Sequence, residues 1–221
     1  MRKIWVSLSA FSTVLRYVSY LIERETRILI SIVLCPFIMT SEENKLVALW
    51  EKHMESEFVS KDVDETMDTM VENCYVNHVP VRTGGVGAIA VKDFYSRFFI
   101  PTMPEDTKTI PISRTVGRDQ IVDEMIFSCT HSKKMDWFLP GVEPTGKYVE
   151  VPLVAIIKFV FMEDEETKET IPKVISEHIY WDQASVLVQI GLLDPTGLPV
   201  DGIQSSHKVV DARGIPSRQL P

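Results

Sequence analysis

The sequence predicts an α+β protein, with helices first and an antiparallel sheet after them. Up to Ile100, apolar residues recur at intervals of three and four, as on one face of a helix. From Ile110 they alternate, as on one face of a strand. The chain has 221 residues, 45% of them apolar, enough for one good core and not for two.

Ser41 to Phe58 is the first helix, with Leu46, Leu49, Trp50, His53, Met54 and Glu57 on one stripe. Asp62 to Tyr75 is read as a second. Asp62 or Asp64 caps it, and Val63, Met67, Met70, Val71 and Cys74 form a core stripe. Pro80 to Gly87 is a glycine-rich connection. It lacks the Gly-Lys-Ser/Thr ending of a phosphate loop. Ala88 to Ile100 is the third helix, stopped by Pro101. A short strand follows at Thr109 to Val116. Asp119 to His131 then alternates, with Ile121, Asp123, Met125, Phe127, Cys129 and His131 sharing a face. Met135 to Gly146 is a loop rich in Pro, Gly and Trp. Tyr148 to Met162 is a long apolar strand, Glu163 to Thr170 an acidic turn, and Val174 to Trp181 the returning strand. Helical spacing resumes after Trp181. From Asp194 a tail rich in Pro and Gly covers a surface or crosses to a partner chain. The domain boundaries are therefore an extension at 1–38, the domain at 39–193 and a tail at 194–221.

Charge is unevenly spread. Residues 1–38 hold five Lys/Arg and two Asp/Glu; the rest hold 18 and 29, a balance of −11. So acidic a body argues against a nucleic-acid partner. Cys35, Cys74 and Cys129 are an odd count without a Cys-x-x-Cys pair, which fits a reducing, cytoplasmic setting. Cys129 sits in an apolar strand as a small core residue. In the extension, the apolar runs Ile4 to Ile22 and Ile28 to Ile38 are interrupted by Arg16 and Pro36. Both fall short of the roughly 20 residues of a membrane span. The simplest reading starts translation at Met39, with Thr40-Ser41-Glu42-Glu43 as a helix cap. An organelle-targeting segment and a membrane anchor are the alternatives.

Glu177-His178-Ile179-Tyr180-Trp181-Asp182 concentrates ionisable groups at a strand–helix junction, where burial shifts pKa values. Asp182 and His178 are the first candidates for chemistry, although Asp182 also fits a helix N-cap. If the strand is regular, His178, Tyr180 and Asp182 share one face and Glu177, Ile179 and Trp181 the other. Which face lines a pocket is open. His131, at a strand end, suits a proton shuttle. Arg114, between apolar residues, binds a substrate oxygen or pairs with Glu124 or another acid. His78 looks into a pocket or meets a helix dipole, and Trp137 and Phe138 form a pocket lid or wall. Trp50 and Trp181 are read as core. The chain has no Gly-x-Ser-x-Gly elbow, no dinucleotide fingerprint and no metal-ligand spacing, so neither cofactor nor metal is expected.

The junction phrase, running on into Gln189-Ile190-Gly191-Leu192-Leu193, resembles the last strand of the SnoaL-like group of the nuclear transport factor two-like superfamily. Asn77-His78-Val79-Pro80, Gly84-Gly85-Val86-Gly87, Ser113-Arg114-Thr115-Val116-Gly117 and Met135-Asp136-Trp137-Phe138-Leu139-Pro140-Gly141 resemble a longer subgroup. Its members occur alone or beside dienelactone-hydrolase-type proteins. The similarity spans roughly Met39 to Asp211. It implies a cone-shaped barrel, a curved antiparallel sheet closed by three N-terminal helices around one pocket. It also implies a homodimer, and it makes Asp182 the acid/base. The expected function is that of a cofactor-independent lyase, isomerase or polyketide cyclase-like enzyme. It would act by acid–base chemistry on a small hydrophobic carbonyl or lactone compound, with His131 or His178 assisting Asp182. His78, Arg114, Glu124, Trp137 and Tyr180 would bind that ligand. The alternative is a non-catalytic ligand-binding or dimerisation module of the same fold. Either form could also be tethered to a membrane through residues 1–38.

Overall fold

Helix α1 (Ser41–Phe58) buries Leu46, Trp50, His53 and Glu57 on one stripe, the spacing that predicts it. The computed structural model describes residues 39–164 and 167–220. The readings of residues 1–38 as extension, leader or anchor lie outside the described residues. Among the described residues no helix is long and apolar enough to cross a membrane.

The second predicted helix is mostly strand. Helix α2 (Val63–Asp68) is capped by the Asp62 carboxylate, which accepts from the amides of Asp64 and Glu65, and it ends at Thr69. Strand β1 (Met70–His78) takes over. Its pairing slips between Met70 and Tyr75. That irregularity puts two exposed residues between Val71 and Cys74 and mimics a helical interval. The glycine-rich connection also contains a strand, β2 (Thr83–Val86), paired antiparallel to β1. Gly84 has φ +132°, and a Cβ there would lie 2.0 Å from the Val76 carbonyl oxygen, so glycine alone lets the two strands close.

Helix α3 (Ala88–Phe94) continues through a wide π turn (Tyr95–Phe99) and a 3₁₀ turn (Ile100–Thr102). Strands β3 (Lys108–Val116), β4 (Gln120–Thr130), β5 (Tyr148–Glu163) and β6 (Thr170–Trp181) follow. Helices α4 (Gln183–Ile190) and α5 (Gln204–Val210) complete the chain.

The sheet order is β2-β1-β6-β5-β4-β3, with β1 parallel to β6 and every other pair antiparallel. The expected barrel is therefore corrected to an open sheet. Its two outer strands, β2 and β3, do not pair; β2 has four residues and offers little to pair with. Of the three expected covering helices, α1 and α3 are present, and α2 is a single short segment. Alternate residues of β4 and β5, from Ile121 to Cys129 and from Val149 to Phe159, are buried on one face. The 194–221 tail contributes α5, whose fully buried Ser206 donates to the Glu150 carbonyl of β5 at 2.8 Å.

Candidate active site

Four polar side chains meet in the core: His53 and Glu57 one turn apart on α1, Tyr95 from the π turn, and Glu177 from β6. They are 0%, 4%, 1% and 4% exposed, so each must find partners inside the protein. His53 Nε2 lies 3.2 Å from Glu57 Oε1 and 3.2 Å from Glu177 Oε1. The Tyr95 hydroxyl donates to Glu177 Oε1 at 3.1 Å. On the other side of the ring, His53 Nδ1 is 2.6 Å from Thr69 Oγ1. That hydroxyl donates its proton to the Thr66 carbonyl at 2.6 Å, so it accepts from the ring and Nδ1 carries a proton. Nε2 then faces two carboxylates and needs a proton of its own. The wide turn that aims Tyr95 into this cluster is of a kind common at functional sites.

The electrostatics agree. Burial pulls His53 down, but attraction to Glu177 and Glu57 and hydrogen bonds to both outweigh it, leaving the pKa raised to about 10. Burial also pushes the Glu57 carboxyl up; the His53 charge opposes this and Glu177 reinforces it. Burial, then the two carboxylates, hold the Tyr95 phenol well above its usual range. The cluster is thus an imidazolium between two acids, one inclined to keep a proton. Among the described residues His53, Glu57 and Glu177 are also the set able to hold a metal ion, with one donor atom each inside 4.8 Å. The same atoms are already in hydrogen-bonding contact, and a proton on Nε2 satisfies them.

Trp50, Asp123 and Arg114 hold this cluster from one side. Trp50 stacks on His53 with ring centroids 5.1 Å apart. The Trp50 indole donates to Asp123 at 2.8 Å, and Arg114 grips Asp123 with Nε and Nη2 at 2.6 and 2.8 Å.

Glu57, Tyr95 and Glu177 line a cavity of about 50 Å³ together with His78, Phe99, Phe127, Trp137 and other apolar groups. Met54, Thr109 and Met125 line both this cavity and an adjoining cleft of about 240 Å³. His78 is buried among Phe94, Phe99, Trp137 and Trp181, and burial lowers its pKa to about 4. An apolar cavity with a few convergent polar groups is the usual form of a small-molecule site.

A SnoaL-like polyketide cyclase, so described, from Jannaschia sp. CCS1 has a similar structure. It is 18% identical, the match covers 71% of this chain and 99% of that chain, and the TM-score is 0.53. The chain has the fold of this SnoaL-like protein. TsrD from Streptomyces laurentii also matches, at 16% identity over 71% of this chain and 100% of that one, with a TM-score of 0.49. A hypothetical protein with a ketosteroid isomerase-like fold from Catenulispora acidiphila DSM 44928 matches at 12% over 66% and 93%, with a TM-score of 0.45. No protein-family model and no curated protein matches the sequence.

Within this SnoaL-like fold the sequence-predicted residues separate. His78 and Trp137 line the cavity. Asp182 does not: it is exposed, and its carboxylate caps α4 by accepting from the amides of Ala184 and Ser185 at 2.9 and 3.1 Å. This is the cap its position before Gln-Ala-Ser allows. His178 and Tyr180 lie on the opposite face from Glu177, with His178 Nε2 3.0 Å from the Tyr75 hydroxyl. The cause is an irregularity in β6. Phe159 pairs with Val174 and Lys158 with Ser176, so Ile175 is the extra residue and the inward set changes from even to odd. His131 is fully buried beneath the Trp137 loop, beside Thr145 at 3.2 Å, instead of sitting at a pocket rim. Of the two readings open for Arg114, the structure shows an ion pair, with Asp123 and Glu51 as partners and not Glu124. Glu124 accepts from Ser113 at 2.8 Å and lines the outer cleft.

His53, Glu57 and Tyr95 were not predicted as site residues. The signal was present: two ionisable residues four apart inside the apolar stripe of α1 have to meet something charged in the core.

Proposed function

We propose that this is a cofactor-independent lyase, isomerase or cyclase. It would move a proton at the carbon next to the carbonyl of a small hydrophobic ketone or lactone. The observation that carries the proposal is a proton-holding imidazole and two buried carboxylates in contact at the wall of an apolar cavity, both carboxylates lining it. Glu177 acts as base and takes the α-proton. The C–H electron pair moves into the enolate, and Glu57, whose pKa burial raises, donates to its oxygen. His53 is the positioning residue that keeps the two acids unlike each other. The enolate then takes the proton back at another carbon, expels a β-substituent or closes a ring. A cavity of about 50 Å³ is below the roughly 300–1,000 Å³ of small-molecule sites, so substrate enters as the flexible Met54 and Met125 move into the cleft.

The test is deuterium incorporation from D₂O at the α-carbon of small cyclic ketones and lactones, followed by NMR. Wild type should exchange, Glu177→Gln should lose roughly 10²–10⁴-fold, and dialysis against a chelator should change nothing. Full exchange by Glu177→Gln would overturn the assignment. The small volume of the cavity favours one other reading, a ligand-binding or dimerisation module, which predicts no exchange of any compound. A cytoplasmic location is proposed from the buried free thiols Cys74 and Cys129. A homodimer is proposed from the resemblance, with light scattering as its test.

A further inference from the structure

A second hollow lies on the other face of the sheet from the cavity. On β1, Val76 and His78 line the cavity, so Tyr75 and Asn77, which alternate with them, point the other way. There they line a cleft of about 370 Å³ together with Arg82, Thr83, Gly84 and Gly85. The sequence makes this hollow. Gly84 stands opposite Asn77 and Gly85 opposite Val76, so no side chain of β2 fills the sheet surface beside Asn77. Glycines inside a strand often mark the close approach of a ligand or of another backbone.

The lining has one sign of charge. Arg82 stands exposed at the rim, Tyr75 and Asn77 are half-buried, and no acidic residue lines the cleft. Arg82 brings a fork of N–H donors, Asn77 an amide and Tyr75 a phenol, whose hydroxyl is 3.0 Å from His178 Nε2. A planar fork beside neutral donors matches an oxyanion. One cation suits one negative charge, and residues 39–221 carry a balance of −11, which disfavours a dianion. The Tyr75 ring and Val86, which is 81% exposed, give the cleft an apolar flank. We infer that this cleft binds an organic carboxylate, its charge held by Arg82 and its body lying against Tyr75 and Val86. The site is separate from the cavity and does not depend on the function proposed for it.

Benzoate, benzamide and phenyl phosphate test the site on the full chain, by calorimetry and by ¹⁵N–¹H spectra. Benzoate should bind roughly tenfold or more tightly than benzamide, which has the same shape and no charge. It should move the amide signals of Gly84 and Gly85 and leave the Trp137 indole signal in place. Arg82→Gln should lose about the same factor, and Arg82→Lys should recover only part of it, because an ammonium lacks the fork. Equal binding of benzoate and benzamide, or undiminished binding by Arg82→Gln, would overturn the site. So would a benzoate response at Trp137 without one at the two glycines. Tighter binding of phenyl phosphate than of benzoate would overturn the carboxylate assignment. The wild-type comparison needs no variant, and Arg82 lies outside the core.

Discussion

His53 keeps its charge because its two ring nitrogens have different duties, one tied to Thr69 and one shared between Glu57 and Glu177. The folded protein therefore holds a proton that the unfolded chain releases above pH 6.5. Stability is complete below that value and falls as pH rises toward about 10, by about 1.4 kcal/mol per pH unit. The raised Glu57 pKa acts in the same direction. Urea unfolding across this range should show the slope, and His53→Gln should flatten it. Asp182 should respond as a cap. Asp182→Ala should cost about 0.5–2 kcal/mol and Asp182→Asn little, because asparagine caps equally well. Stabilisation by both replacements would argue for a strained functional carboxylate instead. At this scale the sequence showed which residue types to suspect and misjudged where they meet. His53 and Glu57 were visible as polar interruptions of an apolar stripe, and Tyr95 was hidden because no local pattern announces a π turn.

Among the elements, β6 decides the site. One extra residue, Ile175, turns Glu177 inward and His178 outward, so alternation from Val174 would choose the wrong face. The long strand β5 alternates from Val149 to Phe159 and pairs with β4 without a register shift, and both were legible. Strand β1 was not, because its own irregularity reproduces a helical interval and pairing with β6 outweighs local preference. The β1–β2 pair depends on Gly84. Gly84→Ala would set a Cβ 2.0 Å from the Val76 carbonyl oxygen at a positive φ. It should cost about 3 kcal/mol or more in chemical unfolding. A near-neutral effect would mean that this pair contributes little to the fold.

At the scale of the whole molecule, the run of strands β3 to β6 after the helices was legible in the sequence, and the two strands lying among the helices, β1 and β2, were not. Closure was not, because pairing between outer strands leaves no periodic signal in either. The C-terminal segment also belongs to the packed structure through Ser206 on β5. A chain ending at Leu193 should melt about 2–4 °C lower for each 1 kcal/mol of packing lost, as read by calorimetry. These pieces place one proton-holding cluster against one apolar cavity, and that cluster is the central claim. Nitrogen NMR of the histidines at about pH 8, above the ordinary histidine pKa, examines it without any substrate. The account predicts that His53 carries protons on both ring nitrogens there, and that Glu177→Gln lowers its titration midpoint. A His53 ring that is neutral at that pH, with a bare Nε2, would contradict it.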